Sequence, residues 1–279
     1  MRVDQIWSYP VKSMVGGTVP SAELSMLGIV GDRRWAVRDL ERGGIRGAKQ
    51  LGGLMTLVAR DVPDGNGHAE IEFPDGRRLT SASPDVDAVL SAHLAHPVRL
   101  EALRPADDLD HYRRGAPASD DFMVELRNVF GREESEPLPD FSVFPPEVIE
   151  FESPPGTYHD CWPLMVMSTS SLESMRSALP DSVIDVRRFR PSIVIDTAGA
   201  PGHPEFGWAG RTARLGTATI AFESGCPRCV MVTRAVADLP ADRAILRHIV
   251  RDLDQNVGVY ARVVEPGSFA AGDELSFID

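Results

Sequence analysis

The feature that most constrains this chain is a break in its pattern. Between about residues 104 and 158 the strand-like rhythm dissolves into "RPADDLDHYRRGAPASDDF", which is polar and acidic, and "REESEPLPDFSVFPPEVIEFESPPGTY", which is rich in Pro, Glu and Ser. Segments of that length without regular elements act as lids, covers or connections. The fold therefore has to come from two flanking parts, 1–103 and 159–279, joined by an irregular connecting segment, 104–158.

Both flanks read as short strands separated by tight turns. In the first, "RVDQIWSY" (2–9), "AELSML" (22–27), "WAVRDL" (35–40) and "MTLVAR" (55–60) partly alternate, with glycines between them. "IEFPDGRRLT" (71–80) carries Pro-Asp-Gly between strand-like flanks and predicts a hairpin. One short helix is expected over 83–95, capped by Ser83 or Asp85, before "PVRLEAL" (97–103) returns to strand. The second flank offers strands at 163–168, 191–196, 218–223, 229–233, 258–264 and 273–278. Its helices are expected at 169–179 and 240–253. The strands are many and the helices too few for regular βαβ alternation. The expected class is α+β, dominated by antiparallel, barrel-like sheet.

Charge narrows the function. A net charge of −12 argues against general nucleic-acid binding, which needs a basic face. Only Lys12 and Lys49 are lysines; every other cation is arginine. In so acidic a chain, an anionic small molecule can be held only where the few cations converge, which draws attention to "GDRRW" (31–35) and "VRRFRP" (186–191). The first residues show no basic region followed by an apolar run, and no stretch approaches the ~20 apolar residues of a membrane span. The expectation is a cytoplasmic protein with no membrane partner.

Two of the three cysteines lie in "SGCPRCVMVT" (224–233). An odd count suits reduced thiols better than a disulfide framework. A thioredoxin-type pair would need a helix after its first cysteine, whereas the residues after Cys229 read as strand. A zinc knuckle would have to recruit His159 and Cys161 from "YHDCW", whose spacing is too short for a usual second pair. Two buried, chemically idle cysteines remain the plain alternative.

Four motifs in order, "IWSYPVKSMVG", "GDRRW", "RFRPSIVID" and "GCPRCVMVT", together resemble the MOSC family. The resemblance is to the branch with an N-terminal MOSC β-barrel domain, which includes the amidoxime-reducing components. It extends to the ending "GSFAAGDELSFI" and so covers the whole chain. It implies a MOSC β-barrel packed with an N-terminal β-barrel-like domain, and a molybdenum cofactor of the molybdopterin type. By the same resemblance the metal ligand is Cys229, the second cysteine of the pair. Cofactor contacts fall on Lys12, Ser13, Arg33, Arg190, Ser192, Arg228 and Thr233, and Asp160 lies at the mouth of the metal site as a catalytic group.

Elementary chemistry is compatible with those roles. A thiolate is a soft ligand, and Arg228 beside Cys229 would favour the thiolate. Lysine and arginine supply point charge and planar forks for a phosphate. The chain departs from the family's eukaryotic members at Ser192, where they carry Asn, and at Ala235, where they carry an acidic residue. Unlike the long bacterial relatives, it has no cysteines for an iron–sulfur domain. Two readings stand. One is a reductase of N-hydroxylated small molecules, with electrons from a separate donor protein. The other is a carrier of the cofactor or its sulfur, with Cys226 holding a persulfide.

Overall fold

The computed structural model describes residues 1–63 and 66–279. Its strands fall into one sheet of eight and three sheets of three. The large sheet runs in the order Leu275–Phe277, Thr212–Leu215, Ala218–Pro227, Asn256–Glu265, Leu164–Ser168, Ile193–Asp196, Arg2–Ser8, Gly17–Val19. All its pairings are antiparallel except that of Leu164–Ser168 with Ile193–Asp196. Parallel neighbours need a crossover, and the helix Thr169–Ala178 supplies it. That helix is capped by Ser168, whose hydroxyl accepts from Ser171 N at 3.0 Å. The fold is α+β with mostly antiparallel sheet, as the strand count and turn spacing indicated.

The ends of the large sheet approach one another. Val3 N donates to Asp273 O at 2.9 Å, Gly272 N to Val3 O at 2.8 Å and Leu275 N to Met1 O at 3.0 Å. An isolated bridge joins Arg2 and Glu274, so the sheet curls without a full ladder at that seam. Val3, Ile6, Val166, Ile193, Ile220 and Val259 fill the core it encloses.

The flanking parts interlock in both directions. The strand Arg2–Ser8 pairs with Ile193–Asp196, and Gly267–Ala270 pairs with Ser21–Ser25. In return, Met231, Val236 and Leu239 pack into the core formed by Val11, Met14, Val37, Leu54, Leu57 and their neighbours. This exchange brings the "YPVKS" and "CPRC" segments together across more than two hundred residues of chain.

Three local expectations change. Residues 229–233 are not a strand: Val230–Thr233 form a turn of 3-10 helix, with Cys229 at its start. Met55 and Thr56 belong to another such turn, Gly52–Thr56, and the strand begins at Val58. Short apolar runs read alike as strand or buried turn, and tertiary packing decided both. Within 104–158 a nine-residue helix, Phe122–Phe130, is capped by Asp121, which accepts from Met123 N and Val124 N, and ends on Gly131 at φ 62°. Its apolar residues Phe122, Leu126, Val129 and Phe130 fall at helical spacing, but none is fully buried. No helix among the described residues is long and apolar enough to cross a membrane.

Candidate functional site

Lys12 is buried, and its ammonium is fully engaged. Nζ donates to Asp160 Oδ1 at 2.5 Å, Tyr158 O at 2.9 Å and Ser153 Oγ at 3.1 Å. Burial pushes the Lys12 ammonium down from its usual value, against the pull of Asp160. Lys49 reaches the other carboxylate oxygen at 3.7 Å. For Asp160, burial alone would raise the carboxyl, but Lys12, Lys49 and Arg33 outweigh it and hold the group well below the ordinary carboxylate range. Asp160 nonetheless keeps 38% of its side chain open to solvent, so water screens these charges in part.

Arg33 and Arg190 converge on the ring of Tyr9, with guanidinium carbons 5.1 and 4.3 Å from its centroid. Tyr9 is itself fixed: its hydroxyl donates to Pro191 O at 2.9 Å and its backbone N to Asp32 at 2.6 Å. Arg33 pairs with Asp32. Arg190, buried, donates to Met14 O, and burial together with the nearby Arg33 charge brings its guanidinium down to about 10. Four cations, Lys12, Arg33, Lys49 and Arg190, thus gather around two carboxylates, Asp32 and Asp160. In a chain of net charge −12, this is a local concentration of positive charge, buried at Lys12 and Arg190 and partly buried at Arg33 and Lys49.

The backbone around this cluster is strained. Ser13, Arg33 and Arg190 all have left-handed conformations, at φ 68°, 48° and 57°. Each costs a non-glycine residue ~1–2 kcal/mol, and such outliers concentrate where a ligand or reaction requires them. Ser13 Oγ accepts from Ala48 N at 2.9 Å, and a Cβ at Gly47 would fall 2.9 Å from that oxygen. The turn at Gly47 and Ala48 therefore presses directly against Ser13.

The cysteine pair divides. Cys226 is buried in the core of Met167, Phe189, Ile245 and Val257, whereas Cys229 is half-buried at the edge of the other core, with Val11 and Met14. The strand bulges between Phe222 and Gly225 and again before Pro227, bending the chain just ahead of Cys229. The hydrogen bonds of Arg228 go to Cys226 and Phe189 rather than to Cys229. Its Nη1 lies 3.0 Å from Cys226 Sγ, and Nη2 donates to Phe189 O at 2.7 Å. In near-extended backbone, residues two apart share a side, so 226 and 228 face together and 229 faces away. Lys49, Arg132 and Arg228 all feel charge at Cys229; for Lys49, burial lowers the ammonium, but the charges of Asp160, Cys229 and Glu152 raise it by more.

Two further sequence candidates are tied up locally. Ser192 Oγ accepts from Met165 N at 3.4 Å, and Thr233 Oγ1 donates to Val230 O at 2.8 Å. The zinc-knuckle arrangement finds no counterpart. His159 bonds Leu27 O at 3.0 Å, with burial bringing its pKa down to about 3. Among the described residues no group of three His, Cys, Asp or Glu side chains is placed to hold a metal ion.

Residues 154–276 match the MOSC domain, and residues 1–114 match the MOSC N-terminal beta barrel domain. The chain belongs to the MOSC family. It is 25% identical over 248 residues to mitochondrial amidoxime reducing component 2 of Bos taurus, covering 83% of this chain and 66% of that protein. Mitochondrial amidoxime-reducing component 1 of Mus musculus is 24% identical over 235 residues, covering 83% and 65%. Component 2 of Macaca fascicularis is 24% identical over 308 aligned positions, covering 98% and 82%. The chain spans about two thirds of the length of the first two relatives.

In this MOSC chain the cationic cluster draws on both matched regions: Lys12, Arg33 and Lys49 from one, Asp160 and Arg190 from the other. Lys49 and Tyr9 were not singled out from the sequence. The scarcity of lysine that marked Lys12 applied equally to Lys49. Tyr9 carried no signal, because an aromatic beside a strand end reads as core.

Proposed function

We propose that this protein binds a molybdenum cofactor of the molybdopterin type, with Cys229 as the protein's ligand to the metal, and reduces N-hydroxylated small molecules. The observation that carries this reading is the concentration of cations around Asp160 and Asp32, of which Arg33 and Arg190 stand in left-handed backbone. The donor set suits such a group. Among the described residues there is one half-buried thiol and no cluster of three ligating side chains, a donor set that suits a metal bringing its own sulfur donors, as a pterin dithiolene does. Arg190, with a planar fork and one hydrogen bond to protein, and Arg33 suit the cofactor's phosphate.

Bound there, the cofactor supplies two-electron oxygen-atom chemistry. Reducing an amidoxime to an amidine breaks the N–O bond, takes two electrons and two protons, and releases water. The electrons come from a separate donor protein. Asp160 stays a carboxylate at neutral pH, since Lys12 and Lys49 hold its pKa far below the range of a useful proton donor. Its part is to accept N–H or O–H bonds from the substrate and position it. Lys49, between Asp160 and Cys229, offsets negative charge at the centre.

Transfer of sulfur through Cys226 is disfavoured, because Cys226 is 2% exposed and already accepts a bond from Arg228; carriage of the intact cofactor does not depend on it. The test is metal analysis of protein made in cells that synthesise the cofactor, followed by assay with an artificial donor and an amidoxime. Near-stoichiometric molybdenum, absent from Cys229→Ala, and turnover are expected. A fully loaded sample without turnover refutes the reductase; the absence of molybdenum refutes the cofactor.

A further inference from the structure

Beside the cationic cluster lies a cavity of about 270 Å³, lined in part by Asp39, Arg42, Arg46, Lys49, Gln50 and Glu125. Its walls come from several separated stretches: the turn after the strand Trp35–Asp39, the segment from Arg46 to Leu51, the loop at His96, and the connecting segment at Ala118 and the helix Phe122–Phe130. Lys49 is common to the cavity and the candidate site, where its ammonium stands 3.7 Å from Asp160.

The polar groups here are under-used. Arg46 has 5% of its side chain exposed, and one guanidinium nitrogen donates to Ala116 O at 2.5 Å. Its Nε is buried without a hydrogen bond, 3.7 Å from Asp39 Oδ2. Asp39 is committed elsewhere: Oδ1 accepts from the backbone of Glu41 and Arg42 at 2.9 Å each, and His96 Nε2 lies 2.9 Å from the same oxygen. Arg42 has no ion pair among the described residues. Gln50 Oε1 is buried and lacks a donor. Arg46 is ion-paired with Asp39 at 3.7 Å, but buried atoms without a hydrogen bond, here Arg46 Nε and Gln50 Oε1, are costly unless a ligand completes them. The volume is near the low end of ligand clefts, ~300–1,000 Å³, and admits a molecule of amino-acid size.

We infer that this cavity is the substrate compartment, and that it selects small N-hydroxylated molecules carrying a carboxylate, whose anionic end is held by Arg46 and Arg42. This deepens the reductase reading and rests on it for the reaction, though not for binding. The carboxylate takes the free guanidinium donors, a donor group on the ligand meets Gln50 Oε1, and the N-hydroxylated end turns toward Lys49 and Asp160. Glu125 disfavours a second negative charge and limits the class to monoanions.

The probes are benzamidoxime and 4-carboxybenzamidoxime, titrated calorimetrically into the full chain with and without cofactor. At least tenfold tighter binding of the carboxylated probe is expected. Arg46→Gln should cut the preference to below threefold, and Arg42→Gln should reduce it by a smaller factor. Equal affinities in the unsubstituted protein overturn the inference, as does a preference that is undiminished in Arg42→Gln if Arg46→Gln fails to fold. Binding preference without turnover would sink the reductase reading alone. Turnover with equal kcat/KM for both probes would sink the cavity assignment alone.

Discussion

Arg33 and Arg190 share one aromatic ring, that of Tyr9, and each reaches it from a left-handed backbone position. Two guanidinium groups so close repel, and Arg33 contributes to lowering the Arg190 pKa. The ring's π face relieves some of that cost, since cation–π contacts contribute ~0.5–2 kcal/mol. An anion between the arginines would relieve more.

The left-handed backbone at residue 33 can be separated from its charge. Arg33→Gly and Arg33→Ala both delete the guanidinium, but only glycine accepts φ 48° without a Cβ clash. The glycine variant should be the more stable by ~1 kcal/mol, as the left-handed penalty implies. Urea melts of the two variants check this, and equal midpoints would contradict it.

At residue 190 the fork matters beyond the charge. Arg190→Lys keeps a cation but loses the planar donors and the face that lies over Tyr9. Molybdenum content after expression with cofactor supply should fall about tenfold, the scale of one charge-assisted hydrogen bond. Retention at the level of the unsubstituted protein would place the phosphate elsewhere.

Asp160 makes stability depend on acid. Its folded pKa lies below its unfolded value near ~3.9, so its contribution is present above pH ~4 and is lost as pH falls through the folded value. Asp160→Asn should therefore cost ~1–2 kcal/mol at pH 7, a figure reduced for its open, solvent-screened side chain. The gap between the two proteins should narrow as pH drops from 4 toward 2. Denaturant melts at pH 7, 5 and 3 read it directly, and a gap independent of pH would remove the ion pair from the account.

The two cysteines of "CPRC" should behave as unlike residues. Cys226→Ala opens a core position and leaves an Arg228 N–H without its acceptor, at a cost of ~1–3 kcal/mol. It should leave molybdenum content intact. Cys229→Ala should do the reverse. A thiol reagent should label one cysteine in the native protein and all three after unfolding, because Cys161 and Cys226 are buried and burial raises the Cys161 thiol. Fast native labelling at Cys226 would contradict the packing described here.

Sequence alone determined the class and the family. Alternating short runs, turn residues at "PDG" and the near absence of regular βαβ spacing are local signals, readable because strand pairing of this kind rests on period-two patterning and turn chemistry. The family resemblance likewise pointed to Lys12, Arg33, Asp160 and Arg190, which converge in space. Tertiary structure alone decided what each side chain touches. Whether Arg228 meets Cys226 or Cys229 turned on which side of a bulged strand each faces, and whether 229–233 is strand or turn depended on a core built by residues 11–100. Lys49 gained its place because Asp160, more than a hundred residues away, folds back against it. Such contacts are set by long-range packing, for which a linear pattern has no period.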